Sequence, residues 1–291
     1  MAAGDIRRSR RDVLLGAIGL GLSAAGCAAK PTDAPVRSAR SQTESQALSP
    51  ATRPPGGGAK TVTRERIRSL SRGTEVELVI IRPEDADPNL PVCLALHGRG
   101  EGAGMFVDLG VPRMLTSAVN YQGTPPFAIV AVDGGDSYWV ARDEDDDPQK
   151  MLSDELPGWL EERGLATNPF AVLGISMGGY GAFNYAANLN DPALAAISPA
   201  LFLSWPEAKA RDVFADEKAW TNTDPLRNLD ALSGVPVGVW CGESDPFIDA
   251  TRELVDRVEP AVADIEPGDH DEQFWRKVLP DAIKFVGKRI G

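Results

Sequence analysis

Histidine is almost missing from this 291-residue chain, which has two, His97 and His270. Cysteine is scarce as well: Cys27, Cys93 and Cys241 stand far apart, none in a closely spaced pair and none beside a histidine. No disulfide framework of the kind that staples small secreted folds is written here, and no metal site of zinc type. Basic charge is short too. Lys and Arg number 30 against 42 Asp and Glu, for a net charge of −12; residues 1–27 carry four Arg and two Asp, which leaves −14 on the rest. Phosphate contacts need clustered Lys and Arg, and no basic stripe follows the first 27 residues, so nucleic acid is excluded as a partner. No apolar run reaches the ~20 residues that a membrane-spanning helix requires. What remains is 43% hydrophobic and 25% charged, an ordinary balance for a soluble globular protein long enough to form one large α/β domain.

The first 60 residues are set apart by composition. Ser9-Arg10-Arg11-Asp12-Val13-Leu14-Leu15 resembles a twin-arginine export signal, and the apolar run 13–23 has the length of a signal-peptide core. Ala24-Ala25-Gly26-Cys27 resembles a bacterial lipobox, in which Cys27 becomes the lipidated first residue and tethers the protein to a membrane. Ala24 departs from the Leu or Val usual at that position, so cleavage near Ala25 or Ala29, releasing a free secreted protein, is the alternative. Residues 28–60 are rich in Ala, Pro, Ser, Thr, Gln and Gly and cannot bury enough apolar surface to offset their ordering entropy, as expected of a flexible tether. The expected organisation is therefore a signal peptide at 1–27, a tether at 28–60 and a domain at 61–291. Abundant Ala, Arg, Asp, Gly and Pro with little Asn and Lys suggest a bacterium of high GC content.

The chemistry-bearing string is Gly174-Ile175-Ser176-Met177-Gly178, between the apolar run 170–173 and a Gly/Ala-rich segment, 179–188. Gly-x-Ser-x-Gly between a strand and a helix places a serine on a tight turn, where small flanking residues let strand and helix approach. In a chain with 29 glycines the bare pattern also arises by chance, so its context must decide. The context is the histidine. In α/β-hydrolase order the base follows the serine, which selects His270; His97 precedes it, at the end of the apolar strand 92–96, and fits the His-Gly start of an oxyanion loop. The acid must lie between Ser176 and His270 at the end of a late strand. The strand 236–241 leads into Gly242-Glu243-Ser244-Asp245-Pro246-Phe247 and points to Asp245, with Glu243 and Asp249 as substitutes if the loop turns differently.

Three strings carry a family resemblance: 173–180 around Ser176, 242–247 around Asp245, and Pro267-Gly-Asp-His-Asp-Glu-Gln-Phe-Trp275 followed by Leu279-Pro280. They resemble the putative-esterase family of α/β hydrolases, which includes esterase D, feruloyl esterases and the antigen 85 mycolyltransferases. The resemblance spans about residues 61–291. It implies an α/β-hydrolase fold with Ser176 as nucleophile, Asp245 as acid and His270 as base, a small-molecule or lipid or sugar ester as substrate, and no cofactor. The antigen 85 branch uses Glu as its acid, so Asp245 leans toward the esterase branch. The same architecture implies oxyanion donors at the backbone N–H of Met177 and of Arg99, with Gly100 the neighbouring possibility.

The rest of the pattern predicts a doubly wound, mostly parallel sheet. An opening hairpin is expected over 62–69 and 75–82, buried strands at 91–96, 127–132, 195–197, 237–241 and 262–265, a helix at 149–163 ending near Gly164, and a C-terminal helical pattern interrupted by Pro280. Cys93 and Cys241 fall in strands that this topology keeps apart, so both are expected as buried thiols. Tyr138 and Trp139 are candidates for an acyl or aromatic wall, and Phe202 and Trp205, with the polar stretch 206–228, for a small cap over the pocket. Asp143-Glu-Asp-Asp-Asp-Pro148 with Asp154 partly mimics a calcium loop, but Pro148 stands where glycine is required, and a solvated acidic loop is expected instead.

Overall fold

Runs of four or five apolar residues, too short for helices and bounded by turn residues, dictate strands buried on both faces. A computed structural model describes residues 60–290; the signal-like leader with Cys27 and all but the last residue of the expected tether lie outside the described residues. The chain opens with an antiparallel hairpin, β1 (Val62–Ser69) and β2 (Thr74–Ile81), turning at Gly73 with φ +60°. β3 (Val92–Leu96), β4 (Ala128–Val132), β5 (Ala171–Ile175), β6 (Ala193–Ile197) and β7 (Val237–Gly242) follow, each buried at every residue, then the half-exposed edge strand β8 (Val262–Glu266). The eight form one sheet in the order β1-β2-β4-β3-β5-β6-β7-β8. β2 pairs antiparallel with both β1 and β4, and every other pairing is parallel.

Alternate residues of each strand serve opposite faces. Leu94 and Leu96 join one apolar cluster, while Cys93 and Ala95 join the other. The first cluster is covered by α4 (Leu156–Glu161), α5 (Met177–Ala186) and α8 (Ile248–Val258). The second is covered by α1 (Met105–Asp108), α2 (Val111–Gln122) and α9 (Glu272–Gly287). The strand order reverses across β3 and β5, so the crevice where a ligand fits lies beyond their carboxyl ends. Between β6 and β7 runs an insertion holding α6 (Trp205–Lys209), α7 (Glu217–Thr223) and two single 3₁₀ turns. Cys93 on β3 and Cys241 on β7 are separated by β5 and β6, and both are buried free thiols.

Two departures from the sequence pattern have physical causes. The helix expected over 149–163 is α3 (Pro148–Lys150), a π turn (Met151–Glu155) and then α4. Pro157 has no N–H to give and its ring crowds the carbonyl four residues back, so the helix widens just before it; Gly164, at φ +65°, closes the segment. α9, by contrast, runs unbroken through Pro280. Its buried stripe of Phe274, Val278, Leu279, Ala282, Ile283 and Val286 outweighs a proline penalty of roughly 3 kcal/mol, since each buried apolar side chain contributes about 1.5–3 kcal/mol.

The junction of β5 and α5 is the most crowded backbone contact described. A Cβ on Gly174 would stand 2.1 Å from the Gly178 carbonyl oxygen, and one on Gly178 would stand 1.9 Å from the carbonyl oxygen of Leu96 at the end of β3. Neither obstacle is a side chain that can swing away. Gly178→Ala should therefore lower the unfolding free energy by about 2 kcal/mol or more, although alanine is favoured over glycine in helices by ~1 kcal/mol. Denaturant unfolding of the variant checks this, and an unchanged midpoint would mean that α5 can back away from β3 freely.

Candidate active site

The crowded junction fixes the conformation of Ser176. It has φ 56° and ψ −119°, outside the regions L residues favour, and is 8% exposed. Backbone bonds hold it there: its N–H donates to Ile197 O (3.0 Å), and its carbonyl accepts from Gly179 N (2.9 Å) and Ala200 N (3.0 Å). Strain of this kind costs of order 1–3 kcal/mol and persists only where the surroundings over-determine it.

His270 lies in the turn between β8 and α9, with Asp271 capping that helix through the Phe274 N–H (2.9 Å). Its Nε2 is 2.8 Å from Ser176 Oγ and its Nδ1 is 2.8 Å from Asp245 Oδ2. Asp245, just past β7, is 1% exposed, and its other oxygen accepts the Phe247 N–H at 2.8 Å. Burial alone would raise its carboxyl pKa, but the hydrogen bond and charge of His270 and the Phe247 N–H outweigh burial and hold it below the ordinary value. An ionised Asp245 accepts, so Nδ1 carries the proton and Nε2 presents a lone pair to the serine hydroxyl. The edges of Phe247 and Trp275 flank the imidazole, with ring centroids 5.3 and 5.4 Å away. The structure thus brings Ser176, Asp245 and His270 into one relay. The two substitute acids stand outside it: Glu243 is exposed, and Asp249 is exposed and faces Arg252 at 3.6 Å.

His97 has the opposite environment. Nδ1 donates to Gly98 O (2.8 Å) and Nε2 accepts the Gly134 N–H (2.8 Å), a pattern only the neutral ring satisfies, and burial lowers its pKa despite nearby Asp133 and Asp136. The loop it begins lies against the serine: a Cβ on Gly98 would be 3.5 Å from Ser176 Cβ. Met177, the first residue of α5, has an N–H with no intrahelical acceptor. The Arg99 N–H likewise meets no acceptor among the described residues, whereas the Gly100 N–H is taken by Asp136 Oδ1 at 2.7 Å. The free pair is therefore Met177 and Arg99.

Sequence reasoning missed the clamp on this loop. Asp133 accepts the Ala103 N–H (2.7 Å) and the Glu77 N–H (2.9 Å), Asp136 accepts Gly100, and the Trp139 indole N–H donates to His97 O (3.2 Å). Tyr138 and Trp139 sit in succession at φ 59° and 58°, so the clamp is itself strained. Trp139 is fully buried against the His97 ring, 5.1 Å between centroids, and braces the loop rather than walling a pocket. Trp205 is corrected as well: it stacks on Trp220 within the β6–β7 insertion, 6.0 Å between centroids. Tyr138 and Phe202 do lie together (5.4 Å) in an aromatic cluster that reaches His270 through Phe247, 6.0 Å from Phe202. A hollow of about 140 Å³ opens beside this cluster, lined in part by Phe202, Leu203, Arg211 and Phe247.

Among the described residues no group of three or more His, Cys, Asp or Glu is placed to hold a metal. In the acidic loop, Asp146 pairs with Arg72 and Asp147 caps α3 through the Lys150 N–H (3.0 Å), so these oxygens already have partners.

A family model described as putative esterase matches residues 69–286. No curated protein matches the chain. Similar solved structures include a ferulic acid esterase (20% identity, TM-score 0.65, covering 79% of this chain and 98% of that one). Another is an S-formylglutathione hydrolase from Agrobacterium tumefaciens (18%, 0.63, 79% and 95%), and a third is MPT51 of Mycobacterium tuberculosis (20%, 0.64, 80% and 100%). At these identities the likeness is one of fold.

Two outcomes follow from the geometry. The Asp245 carboxyl is held below its unfolded value, so its contribution to stability is complete above the ordinary carboxylate range and disappears as pH falls through the lowered value. Asp245→Asn should flatten the acid end of a melting-temperature profile and cut turnover by about 10⁴, because the amide stabilises no imidazolium; a profile parallel to wild type would remove Asp245 as the linked group. Asp136→Ala should lower kcat about tenfold with KM little changed, since it loosens a loop that matters after substrate is bound. Steady-state kinetics showing a rise in KM alone would contradict that role.

Proposed function

The chain belongs to the putative-esterase family and is a carboxylic ester hydrolase, and from that premise we propose that it is an exported serine esterase working through an acyl-enzyme on Ser176. The observation that carries the proposal is the pair of 2.8 Å contacts joining Ser176 Oγ, the His270 ring and Asp245. His270 Nε2 takes the Ser176 proton as Oγ adds to the ester carbonyl, and the N–H groups of Met177 and Arg99 face the oxygen that becomes negative. Asp245 stabilises the imidazolium. That imidazolium returns its proton to the departing alcohol, leaving the acyl group on Ser176 and a neutral ring. His270 next takes a proton from water, the hydroxide equivalent adds to the acyl carbon, and collapse releases the acid with Oγ reprotonated. Besides the ester, these steps consume one water.

Export is supported by the twin-arginine-like leader and the lipobox-like Cys27, which together suggest an enzyme held at a bacterial envelope by a lipid and a tether. Asp rather than Glu at position 245 supports water as the acyl acceptor. A sugar hydroxyl in place of water would make the same intermediate a donor for acyl transfer, as in the mycolyltransferase branch. A non-catalytic envelope protein retaining the fold is the remaining alternative.

One experiment orders these readings. A panel of esters graded by acyl length, run with and without trehalose or another sugar, should yield free acid at a rate that the sugar does not change. Acylated sugar as the main product would instead assign acyl transfer. A fluorophosphonate probe should label the wild type and not Ser176→Ala, whose turnover should fall by about a thousandfold or more. Failure of the wild type to label would favour the binding-protein alternative.

A further inference from the structure

Arg211 follows α6 in the β6–β7 insertion, partly buried, with its guanidinium carbon 5.0 Å from the Phe247 ring centroid and 5.4 Å from that of Phe202. The Phe247 ring is in turn 5.3 Å from the His270 ring, so the cation stands one aromatic side chain away from the base. Its Nε is buried and has no hydrogen-bond partner, and it forms no ion pair with a described carboxylate. Glu207 and Asp249 line the same hollow without reaching it; Glu207 is turned to the Leu203 N–H (3.0 Å) and Asp249 to Arg252 (3.6 Å). A buried guanidinium N–H without an acceptor is destabilising, and in a chain this rich in Asp and Glu no described acidic side chain supplies one. Burial raises the pKa of the Tyr138 hydroxyl, and the charges of Arg211 and Arg99 pull it part of the way back.

We propose that Arg211 is an anchor for an anionic substrate: the hollow beside Phe202 and Phe247 receives a carboxylate, or an equivalent oxyanion, carried by the ester bound at Ser176. The aromatic rings hold the guanidinium by cation–π contact and leave hydrogen-bonding N–H groups for a forked, two-oxygen acceptor. Binding the anion gives the guanidinium the acceptor that no described carboxylate supplies and fixes the rest of the ester relative to Oγ. The inference rests on the esterase reading of Ser176 and adds the charge of the substrate to it.

The anion can sit on the acyl side or on the alcohol side, and matched ester pairs separate the two. On the acyl side, mono-4-nitrophenyl adipate is compared with 4-nitrophenyl hexanoate; on the alcohol side, the hexanoate of 4-hydroxybenzoate is compared with that of its methyl ester. The quantity read is the ratio of kcat/KM for the anionic member to that for the neutral one. Wild type should favour the anionic member of one pair. Arg211→Gln should reduce that ratio about tenfold or more, Arg211→Lys should restore part of it, and added salt should erode it. An anionic preference absent from both pairs, or a ratio that Arg211→Gln leaves unchanged while the variant melts like wild type, overturns the anchor. A wild-type protein that hydrolyses no member of either pair overturns the esterase reading instead, so the two failures are distinguishable.

Discussion

The contact between the first turn of α5 and the last carbonyl of β3 is the constraint on which the site depends. Bringing those backbones together requires glycine at 174 and 178, and the approach does two things at once. It forces Ser176 to the strained φ of 56°, which turns its side chain out of the sheet, and it sets the Met177 N–H beside the loop that leaves β3. Ser176 and the Met177 N–H are thus placed by backbone packing, while the Arg99 N–H depends also on the side chains that clamp its loop. Local strain is tolerated because the neighbouring hydrogen bonds leave the chain no cheaper path.

Electrostatics then divides two chemically identical side chains. His97 and His270 both follow strands at the same edge of the sheet. His97 is enclosed, bonded at both nitrogens and kept neutral, so it serves as a brace for the oxyanion loop. His270 has one nitrogen fixed by a buried carboxylate and the other left facing a hydroxyl. A buried anion is costly by itself, and Asp245 is supported by the Phe247 N–H as well as by the imidazole. The difference between brace and base lies in the partners, not in the residue.

That difference also marks what could be read from the chain. The order of Ser176, Asp245 and His270 was legible because each follows a short strand and because only two histidines had to be told apart. The hairpin and the buried strands were legible from apolar runs. Helix α2 was not, although Gly110 and Pro112 at its start and Gly123 at its end, with Val111, Leu115 and Ala118 buried along one side, form a readable signature. Trp139 and Trp205 were misplaced because an aromatic side chain near a site can face the pocket or the core, and sequence does not carry that direction. The clamp by Asp133 and Asp136 was hidden for a related reason. A carboxylate that accepts backbone N–H groups 30 or more residues away looks, in sequence, like any loop aspartate.

On the proposed reading, reactivity and selectivity are separated in space. Everything that moves protons or faces the reacting oxygen hangs from the carboxyl ends of β3, β5, β7 and β8, where packing and strain hold it still. The groups that would distinguish one ester from another, Phe202 and Arg211, belong to the insertion between β6 and β7. That insertion meets the relay through the Phe247 ring and through the backbone bond from Ala200 to Ser176. The 2.8 Å spacings of the relay are thus set by the strand ends, and the charge and shape beside His270 by the insertion. The cost of that division is a cation held by aromatic faces instead of by an acid. An acidic partner would satisfy Arg211 in the empty site and compete with any anion that arrives, whereas a ring neither neutralises it nor occupies its hydrogen-bonding edge.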